Sequence, residues 1–155
     1  MIELRRADFA DARLTAFLEE YLDELRPTAP AESRHALDFA ALQRPGVRLF
    51  VAYDGPEIVA TGALAELGAL EPGAEELKSM RTHPQCRGGG IASRMLAHLL
   101  EDARARNVSR LFLDTGSMDF FRPARSLYAK AGFTVCEPYG RHVHDPNTVY
   151  MTLEL

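Results

Sequence analysis

Apolar side chains recur every three to four residues in four stretches of this chain, and that period predicts amphipathic helices. In the first stretch Asp8 and Asp11 form a helix-start signal, apolar residues follow on one face, and Pro27 and Pro30 end the pattern. Glycines stand directly before residue 91 and after residue 131, where the last two stretches begin and end. We therefore predict helices over residues 8–25, 31–43, 91–103 and 124–131.

Between these stretches the chain alternates apolar with polar residues or is rich in β-branched and aromatic ones, as strands are. Asp54-Gly55 supplies a tight hairpin turn between two of them. The predicted strands cover residues 1–5, 47–53, 57–67, 75–82, 111–114, 133–137 and 148–155. Strands and helices interleave along residues 1–155, which indicates a single α/β domain around a mixed sheet.

Length, charge and cysteine count narrow the class of protein. The 155 residues suffice for one domain with a buried core, and the net charge of -4, without a basic stripe, argues against a nucleic-acid partner. Two cysteines make no disulfide framework, and the N-terminal residues lack the apolar stretch of a signal peptide. No apolar run approaches the roughly 20 residues of a membrane span. We expect a cytoplasmic protein that binds neither nucleic acid nor membrane.

Residues 87–92, RGGGIA, lie between a predicted strand and a predicted helix. The first N–H groups of a helix are unpaired and carry partial positive charge, and glycines let a ligand approach the backbone. Arg87 and Arg94 add donors for a phosphate. The turn therefore predicts a phosphate site, with a connector that binds nothing as the alternative. It lacks the Gly-Lys-Ser/Thr ending of a P-loop, and it lies too far along the chain for a dinucleotide fingerprint.

Two segments resemble a known family. Residues 76–92, ELKSMRTHPQCRGGGIA, are similar to the strand and Gln/Arg-x-x-Gly-x-Gly/Ala signature of the GCN5-related N-acetyltransferases, the GNAT family. Residues 127–133, LYAKAGF, are similar to the family's Leu-Tyr-x-Lys-x-Gly-Phe segment. The chain is thus identified as a small stand-alone member of bacterial type. The resemblance implies an α/β (α+β) fold, with a central mixed, mostly antiparallel sheet of about seven strands flanked by about four helices.

The resemblance also implies acetyl-CoA as co-substrate and a primary amine, on a small molecule or a peptide, as acceptor in a ternary complex. The pyrophosphate would lie on the glycine turn, and the backbone of the preceding strand would bind the pantetheine arm and stabilise the oxyanion. The implied cofactor-binding residues are Met80, Arg81, Thr82, Arg87, Gly88, Gly89, Gly90, Ile91, Ala92 and Tyr128.

Acetyl transfer to an amine needs a base for the amine and an acid for the leaving thiolate. Glu76 is the first candidate base, because it lies six residues before Thr82, an even separation that predicts the same strand face. Glu66, at the end of the neighbouring strand, is the second candidate. A Glu76 that is exposed or paired with Lys78 is the alternative without a catalytic role. Tyr128 matches the family tyrosine beside the sulfur and is the candidate acid, although its helical spacing equally fits a core aromatic.

Other features leave alternatives open. Phe121 stands where many family members have a cofactor-binding asparagine, so a non-catalytic acyl-CoA sensor or docking module of the same fold is an alternative, as is transfer of a longer acyl group. No metal site is expected, because His142 and His144 lack a third clustered ligand. Acceptor contacts are expected from residues 21–35 and 137–147. We expect a monomer or a homodimer.

Overall fold

Strands and helices alternate along the chain in the computed structural model, which describes residues 1–27 and 39–155. The strands are β1 (Ile2–Arg6), β2 (Val47–Asp54), β3 (Glu57–Glu66), β4 (Ala74–Thr82), β5 (Arg110–Gly116), β6 (Thr134–Cys136) and β7 (Thr148–Glu154). The helices are α1 (Ala12–Leu25), α2 (Phe39–Leu42), α3 (Ile91–Ala105) and α4 (Arg122–Lys130).

The seven strands form one sheet in the order β1-β2-β3-β4-β5-β7-β6. All neighbours are antiparallel except β4 and β5, which are parallel and are connected through α3. A parallel pair needs such a crossover, because a tight hairpin reverses the chain direction. The prediction of a mixed, mostly antiparallel sheet of about seven strands with about four helices is confirmed.

The sheet separates two apolar cores. On one face, which we call the α3 face, Met95 and Leu99 are completely buried against the sheet together with residues of α4. On the opposite face, the α1 face, Leu14 and Phe17 of α1 pack with Leu42 of α2 against the strands. Each buried side chain of this size contributes about 1.5–3 kcal/mol relative to an exposed one. The helices are therefore held on the sheet by the apolar stripes that the sequence displays.

The first helix begins at Ala12 and not at Asp8, so the predicted start is wrong. The Asp8 carboxylate accepts a hydrogen bond from the N–H of Ala10 at 3.0 Å and closes a turn, whereas Asp11 caps the helix by accepting from the N–H of Arg13 at 2.9 Å. Either aspartate can cap a helix, and their spacing alone does not decide between them. The second predicted helix, residues 31–43, lies outside the described residues except for its C-terminal part, which contains α2.

Strands β4 and β5 separate from each other halfway along their length. Their pairing ends at Leu77 and Leu113. Beyond those residues β4 continues beside β3 as far as Thr82, and β5 continues beside β7 as far as Gly116. The two strands thus enclose an opening in the middle of the sheet, which we call the wedge.

A β-bulge in β4 lies beside the wedge. Thr61 and Ala63 of β3 are two residues apart, whereas their partners on β4, Arg81 and Lys78, are three apart. The extra residue is accommodated at Ser79, whose φ is +54° and whose carbonyl accepts a hydrogen bond from the Thr61 hydroxyl at 2.8 Å. A bulge of this kind reverses the alternation of side chains along the strand.

The bulge changes which residues share a face of β4. Leu77 and Met80 both pack in the core of the α3 face, although they are three residues apart. Glu76 lies on the α1 face, as does Arg81, whose guanidinium stacks on Phe17 of α1. The prediction that Glu76 shares a face with Met80 and Thr82 is therefore wrong, because uninterrupted alternation was assumed for a strand that contains an extra residue.

Two further expectations concern the whole chain. Within residues 1–27 and 39–155, no helix is both long enough and apolar enough to cross a membrane. Cys86 and Cys136 are free thiols, in agreement with the expectation that the chain has no disulfide framework.

Candidate active site

The glycine turn joins the end of β4 to the start of α3. Gly88 and Gly90 have φ angles of +87° and +83°, a conformation that residues with a Cβ disfavour. Gly90 is the N-cap of α3, and no side chain caps the helix, so the first N–H groups of α3 face the turn. A Cβ atom on Gly88 or Gly90 would meet nothing within 4 Å. The turn is therefore an open, backbone-lined site of the kind that binds anions.

A cleft of about 650 Å³ extends from the glycine turn along β4 to α4. Its size falls in the range of small-molecule and cofactor sites. Nine of the ten residues that the sequence predicted for the cofactor line its walls. They are Met80, Arg81, Thr82, Arg87, Gly88, Gly90, Ile91, Ala92 and Tyr128. Gly89 is exposed on the turn but is not part of the wall.

Tyr128 of α4 closes the inner end of the cleft and is 6% exposed. Its ring packs edge-on against Phe133, 5.8 Å away, so it also belongs to the core of the α3 face. Burial raises the pKa of Tyr128 well above its usual range, and the neighbouring Tyr21 and Asp114 raise it further. The hydroxyl therefore keeps its proton at neutral pH, and Tyr128 lines the cleft.

Phe121, the residue at the usual asparagine position, also lines the cleft. Its ring lies against the backbone of Gly116 at the end of β5, where a Cβ atom would approach it to 2.1 Å. The glycine thus makes room for the aromatic ring. An apolar surface stands here in place of an amide side chain.

The arginines near the turn already have partners within the chain. Arg87 donates to the Glu24 carboxylate of α1 at 2.7 Å and to the carbonyl of Thr82 at 3.1 Å. Arg94 donates to the carbonyl of Ile2 at 3.3 Å. The Arg87 side chain is 45% exposed, so the partners of this arginine can be exchanged for a bound phosphate with little loss.

Arg81 is predicted to bind the cofactor, yet its side chain points away from the α3 face. Its guanidinium lies 4.6 Å from the ring of Phe17 and donates to the Phe17 carbonyl at 3.3 Å. The side chain is 4% exposed, and its buried Nε has no hydrogen-bond partner, although the Glu24 carboxylate is 3.6 Å away. The side chain of Arg81 therefore ties α1 to β4, and any cofactor contact of Arg81 would come from its backbone.

Glu76 is the centre of a polar cluster on the α1 face, which we call the Glu76 cluster. Lys78 donates to one carboxylate oxygen at 2.8 Å, and the other oxygen accepts a hydrogen bond from the Tyr139 hydroxyl and lies 3.1 Å from Nε2 of His142. Tyr139 also lies 3.4 Å from Oδ1 of Asp114. These five residues come from β4, β5 and the segment between β6 and β7.

The protonation states in the cluster follow from these contacts. Burial alone would raise the pKa of Glu76. The hydrogen bond with His142, the charge and hydrogen bond of Lys78 and the hydrogen bond from Tyr139 together lower this pKa to about 2. Burial and the negative charges of Asp114 and Glu76 raise the pKa of Tyr139 far above its usual range. At neutral pH Glu76 is therefore a carboxylate and Tyr139 a protonated donor to it.

Asp114 connects the Glu76 cluster with the cleft. It is the first residue of β5 beyond the last pair with β4, and its charge acts on the tyrosines of both regions. Burial, followed by the charges of Asp114 and Glu24, raises the pKa of Tyr21 to about 12, and Tyr21 lines the cleft. Asp114 likewise raises the pKa of Tyr128 and of Tyr139. Asp114 was not predicted as a site residue, and Tyr21 and Tyr139 were predicted only as members of the acceptor ranges 21–35 and 137–147.

The two predicted bases occupy unequal positions. Glu76 lies close to Asp114, neither of the two is part of the cleft wall, and the oxygens of Glu76 are engaged by three neighbours. Glu66 is exposed at the far end of β3, five positions beyond Thr61, which is about 17 Å along a strand from the cleft. Glu66 therefore cannot reach a group bound beside Tyr128.

One trio of side chains has the composition of a metal site. Glu76, Asp114 and His142 each offer a ligand atom, and those atoms lie within 4.8 Å of one another. Lys78 and Tyr139 already contact the Glu76 oxygens, and the ammonium group opposes the binding of a second cation there. The expectation that the protein has no metal site stays a prediction.

The chain is similar to acetyltransferases throughout its length. Residues 12–133 match the acetyltransferase (GNAT) family. The chain is 38% identical over 148 residues to the uncharacterized N-acetyltransferase YsnE of Bacillus subtilis, with 96% of each chain covered. It is 38% identical over 149 residues to the IAA acetyltransferase of Azospirillum brasilense, with 95% of this chain and 93% of the relative covered.

Solved structures of similar fold also carry the names of acyltransferases. A Klebsiella pneumoniae protein assigned by name to the acyl-CoA N-acyltransferases superposes with a TM-score of 0.81 at 28% identity, covering 100% of this chain and 98% of the other. A Bacillus subtilis acetyltransferase solved in complex with CoA has the same fold, with a TM-score of 0.68 at 14% identity over 100% and 99% of the two chains. The chain has the glycine turn and the cleft, and it matches the family over most of its length. It therefore belongs to the GNAT acetyltransferase family and is an acyltransferase.

Proposed function

We propose that this protein transfers an acetyl group from acetyl-CoA to a primary amine. The observation that carries the proposal is the continuous cleft that runs from the glycine turn along β4 to Tyr128. One end of this cleft offers unpaired backbone N–H groups and the other offers a protonated donor. A molecule with a pyrophosphate at one end and a thioester at the other has matching chemistry at both ends.

In this arrangement the pyrophosphate of acetyl-CoA binds to the turn at Gly88 and Gly90, and its arm follows the edge of β4 that faces the wedge. Because β4 has left β5 beyond Leu77, that edge offers backbone groups to the arm and to the thioester carbonyl. A backbone N–H near Met80 would stabilise the oxyanion that forms on attack.

The leaving group of the reaction is the thiolate of CoA, which requires a proton. Tyr128 is the proposed donor, because it lines the inner end of the cleft with its proton retained. The burial that raises the tyrosine pKa also disfavours an unprotonated thiolate in the same place, so the proton moves to sulfur as the C–S bond breaks.

Glu76 acts in this proposal as a positioning residue and not as the group that takes a proton from the amine. A carboxylate whose pKa is lowered to about 2 is a weak base, and its three hydrogen-bonding neighbours hold it in place. Its role is to fix Tyr139 and His142 on the α1 face, where we propose that the acceptor binds.

The test is a screen of primary amines with acetyl-CoA, read as release of free thiol. Polyamines, amino acids, aminoglycosides and peptide N-termini cover the acceptor classes. Turnover of at least one amine that depends on acetyl-CoA, confirmed by the mass of the N-acetylated product, is the expected result. Binding of CoA without turnover of any amine would contradict the proposal and would favour an acyl-CoA-binding role for the same fold.

A further inference from the structure

We propose that Asp114 is the catalytic carboxylate that receives the acceptor amine and takes its proton. This inference rests on the proposed acetyl transfer and adds to it a residue outside both family segments. Asp114 combines three features that no other carboxylate of the described residues shares: its place at the apex of the wedge, its face of the sheet and its proximity to the cleft tyrosines.

The place of Asp114 follows from the sheet topology. Leu113 is the last residue of β5 that pairs with β4, so Asp114 is the first residue at the apex, where the two strands separate. On its other edge Asp114 stays paired with Tyr150 of β7, which fixes its backbone. The carboxylate is therefore carried by a regular strand at the place where β4 and β5 separate.

The face of Asp114 follows from strand alternation. Leu111 and Leu113 pack in the core of the α3 face, whereas Phe112 stacks on Tyr139 at 4.7 Å on the opposite face. Asp114, two residues after Phe112, therefore points to the α1 face. Tyr128 of α4 packs on the α3 face and lines the cleft. A thioester in the wedge would thus have Tyr128 on the side of its sulfur and Asp114 on the other side.

Contacts and charge effects place the Asp114 carboxylate near both regions. Its Oδ1 lies 3.4 Å from the Tyr139 hydroxyl. One of its carboxylate oxygens lies within 4.8 Å of a Glu76 oxygen and of a ring nitrogen of His142. Its charge also acts on Tyr128 inside the cleft. Asp114 is partly exposed, whereas Glu76 is 6% exposed. Between the two carboxylates, Asp114 is the more accessible to an incoming amine.

The charge of the site selects a cation. Glu76 and Asp114 carry two negative charges, and Lys78 carries one positive charge, which leaves a net negative charge when His142 is neutral. An alkylammonium ion would be attracted to the carboxylate of Asp114. The predicted acceptor is therefore a basic amine that arrives protonated.

The reaction balances with Asp114 in this role. The ammonium ion gives one proton to Asp114, and the neutral amine then forms a C–N bond with the thioester carbon. As the C–S bond breaks, Tyr128 gives its proton to the sulfur. The nitrogen of the intermediate then loses its second proton, and this proton restores the hydroxyl of Tyr128. Asp114 releases the first proton to water. The products are the N-acetylated amine, CoA with a free thiol and one proton.

The experiment compares two acceptors of similar size in the wild type and in Asp114→Asn. One is a basic alkylamine with a pKa near 10, and the other is a weakly basic primary amine with a pKa below 6, which is already neutral at pH 7.5. We expect kcat/KM for the basic amine to fall on the order of 10²–10³-fold, the range that removal of a general base produces, and that for the weakly basic amine to fall less than about tenfold.

Several controls keep the inference testable. Asp119→Asn, at a carboxylate that is 88% exposed, should leave both acceptors unchanged. Asp114→Glu should recover part of the loss with the basic amine. Such a recovery would show that the loss in Asp114→Asn comes from the missing carboxylate and not from a failure to fold. Wild-type activity should persist in excess EDTA. A loss in EDTA that a divalent ion restores would make Asp114 a metal ligand and overturn the inference.

Two further outcomes separate the inference from the proposed function. An active wild type with an Asp114→Asn variant that keeps its rate, or that loses the same factor with both amines, would overturn the role of Asp114 alone. A wild type that releases no thiol with any amine would overturn the proposed acetyl transfer, and the role of Asp114 with it.

Discussion

The glycine turn and the Glu76 cluster are built in opposite ways. The turn is a run of neighbouring residues whose binding groups belong to the backbone, and its glycines are exposed. The cluster consists of side chains from three parts of the chain, with Glu76 and His142 separated by 66 positions in the sequence. Its carboxylate and tyrosine are almost completely buried, since Glu76 is 6% exposed and Tyr139 3%.

This difference decides how each region responds to substitution. A backbone site depends on conformation, so it is damaged where a side chain forbids the required φ angle. A buried cluster depends on the pairing of its charges, so it is damaged where one partner is removed and the others stay buried without it. Changes at Tyr128, Glu76, Gly90 and Arg87 test this comparison, in decreasing order of expected effect.

The Tyr128→Phe variant should cause the largest loss, because it removes the proposed acid from the cleft and leaves the aromatic packing intact. We expect kcat to fall about 10²-fold or more, as is usual when a general acid is removed, while KM for acetyl-CoA changes little. Tyr53→Phe, in the opposite core, is the matched control and should keep its kcat. Steady-state thiol release measures both, and an unchanged kcat in Tyr128→Phe would remove this tyrosine from the mechanism.

The Glu76→Gln variant should lose stability in a pH-dependent way. The folded-state pKa of about 2 lies below the ordinary value of 4.5, which corresponds to roughly 3 kcal/mol of stability. Because the folded pKa is lowered, this contribution is complete above pH 4.5 and is lost as the pH falls towards 2. The difference in free energy of unfolding between wild type and variant should therefore be constant from pH 6 to 8 and shrink below pH 4.5.

Urea unfolding at several pH values measures that difference. Glu66→Gln, at an exposed carboxylate of β3, is the control and should change the free energy of unfolding by less than about 0.5 kcal/mol. If the wild type and Glu76→Gln differ by the same amount at every pH, the cluster does not hold its carboxylate as the structure describes.

The Gly90→Ala variant tests the backbone site. At φ +83° an alanine is strained by about 1–2 kcal/mol, and its methyl group would project into the space above the turn. Gly55→Ala, at φ +58° in the β2–β3 hairpin and also without neighbours within 4 Å, carries a similar strain far from the cleft. Both variants should lose similar stability, but only Gly90→Ala should raise KM for acetyl-CoA, on the order of tenfold. Equal KM values in the two variants would argue against a phosphate at this turn.

The Arg87→Gln variant should have the smallest effect. Its exposed ion pair with Glu24 contributes under about 1 kcal/mol, so we expect a rise of about threefold in KM for acetyl-CoA and little change in stability. Arg122→Gln, whose side chain is 72% exposed, is the control. A large loss of kcat in Arg87→Gln would mean that the arginine acts beyond charge attraction to the cofactor.

The same comparison explains what the sequence could predict. The strands, the two later helices and the glycine turn depend on nearby residues, and the period of apolar positions indicated them correctly. Tyr128, which lines the cleft, was predicted from its neighbours, because they form a recognisable segment. Asp114 and Tyr139 meet only after β4, β5 and the segment before β7 have folded together, and no local pattern indicates that meeting. The face of Glu76 was predicted wrongly because one extra residue near Ser79 is invisible to a rule of strict alternation.

That extra residue has a consequence for how the protein can change over evolutionary time. Before Ser79 the even-numbered residues of β4 point to the α1 face, and after it the odd-numbered residues do. The two parts of the strand therefore alternate independently. Point substitutions can alter the side chains on the two faces of the sheet independently of each other. Deletion of Ser79 would leave Lys78 opposite Ala63 and Arg81 opposite Thr61 in a strand without a bulge, so Arg81 and Thr82 would keep their sides of the sheet. Homologues are therefore expected to keep the faces of the residues at these positions whether or not they carry the extra residue.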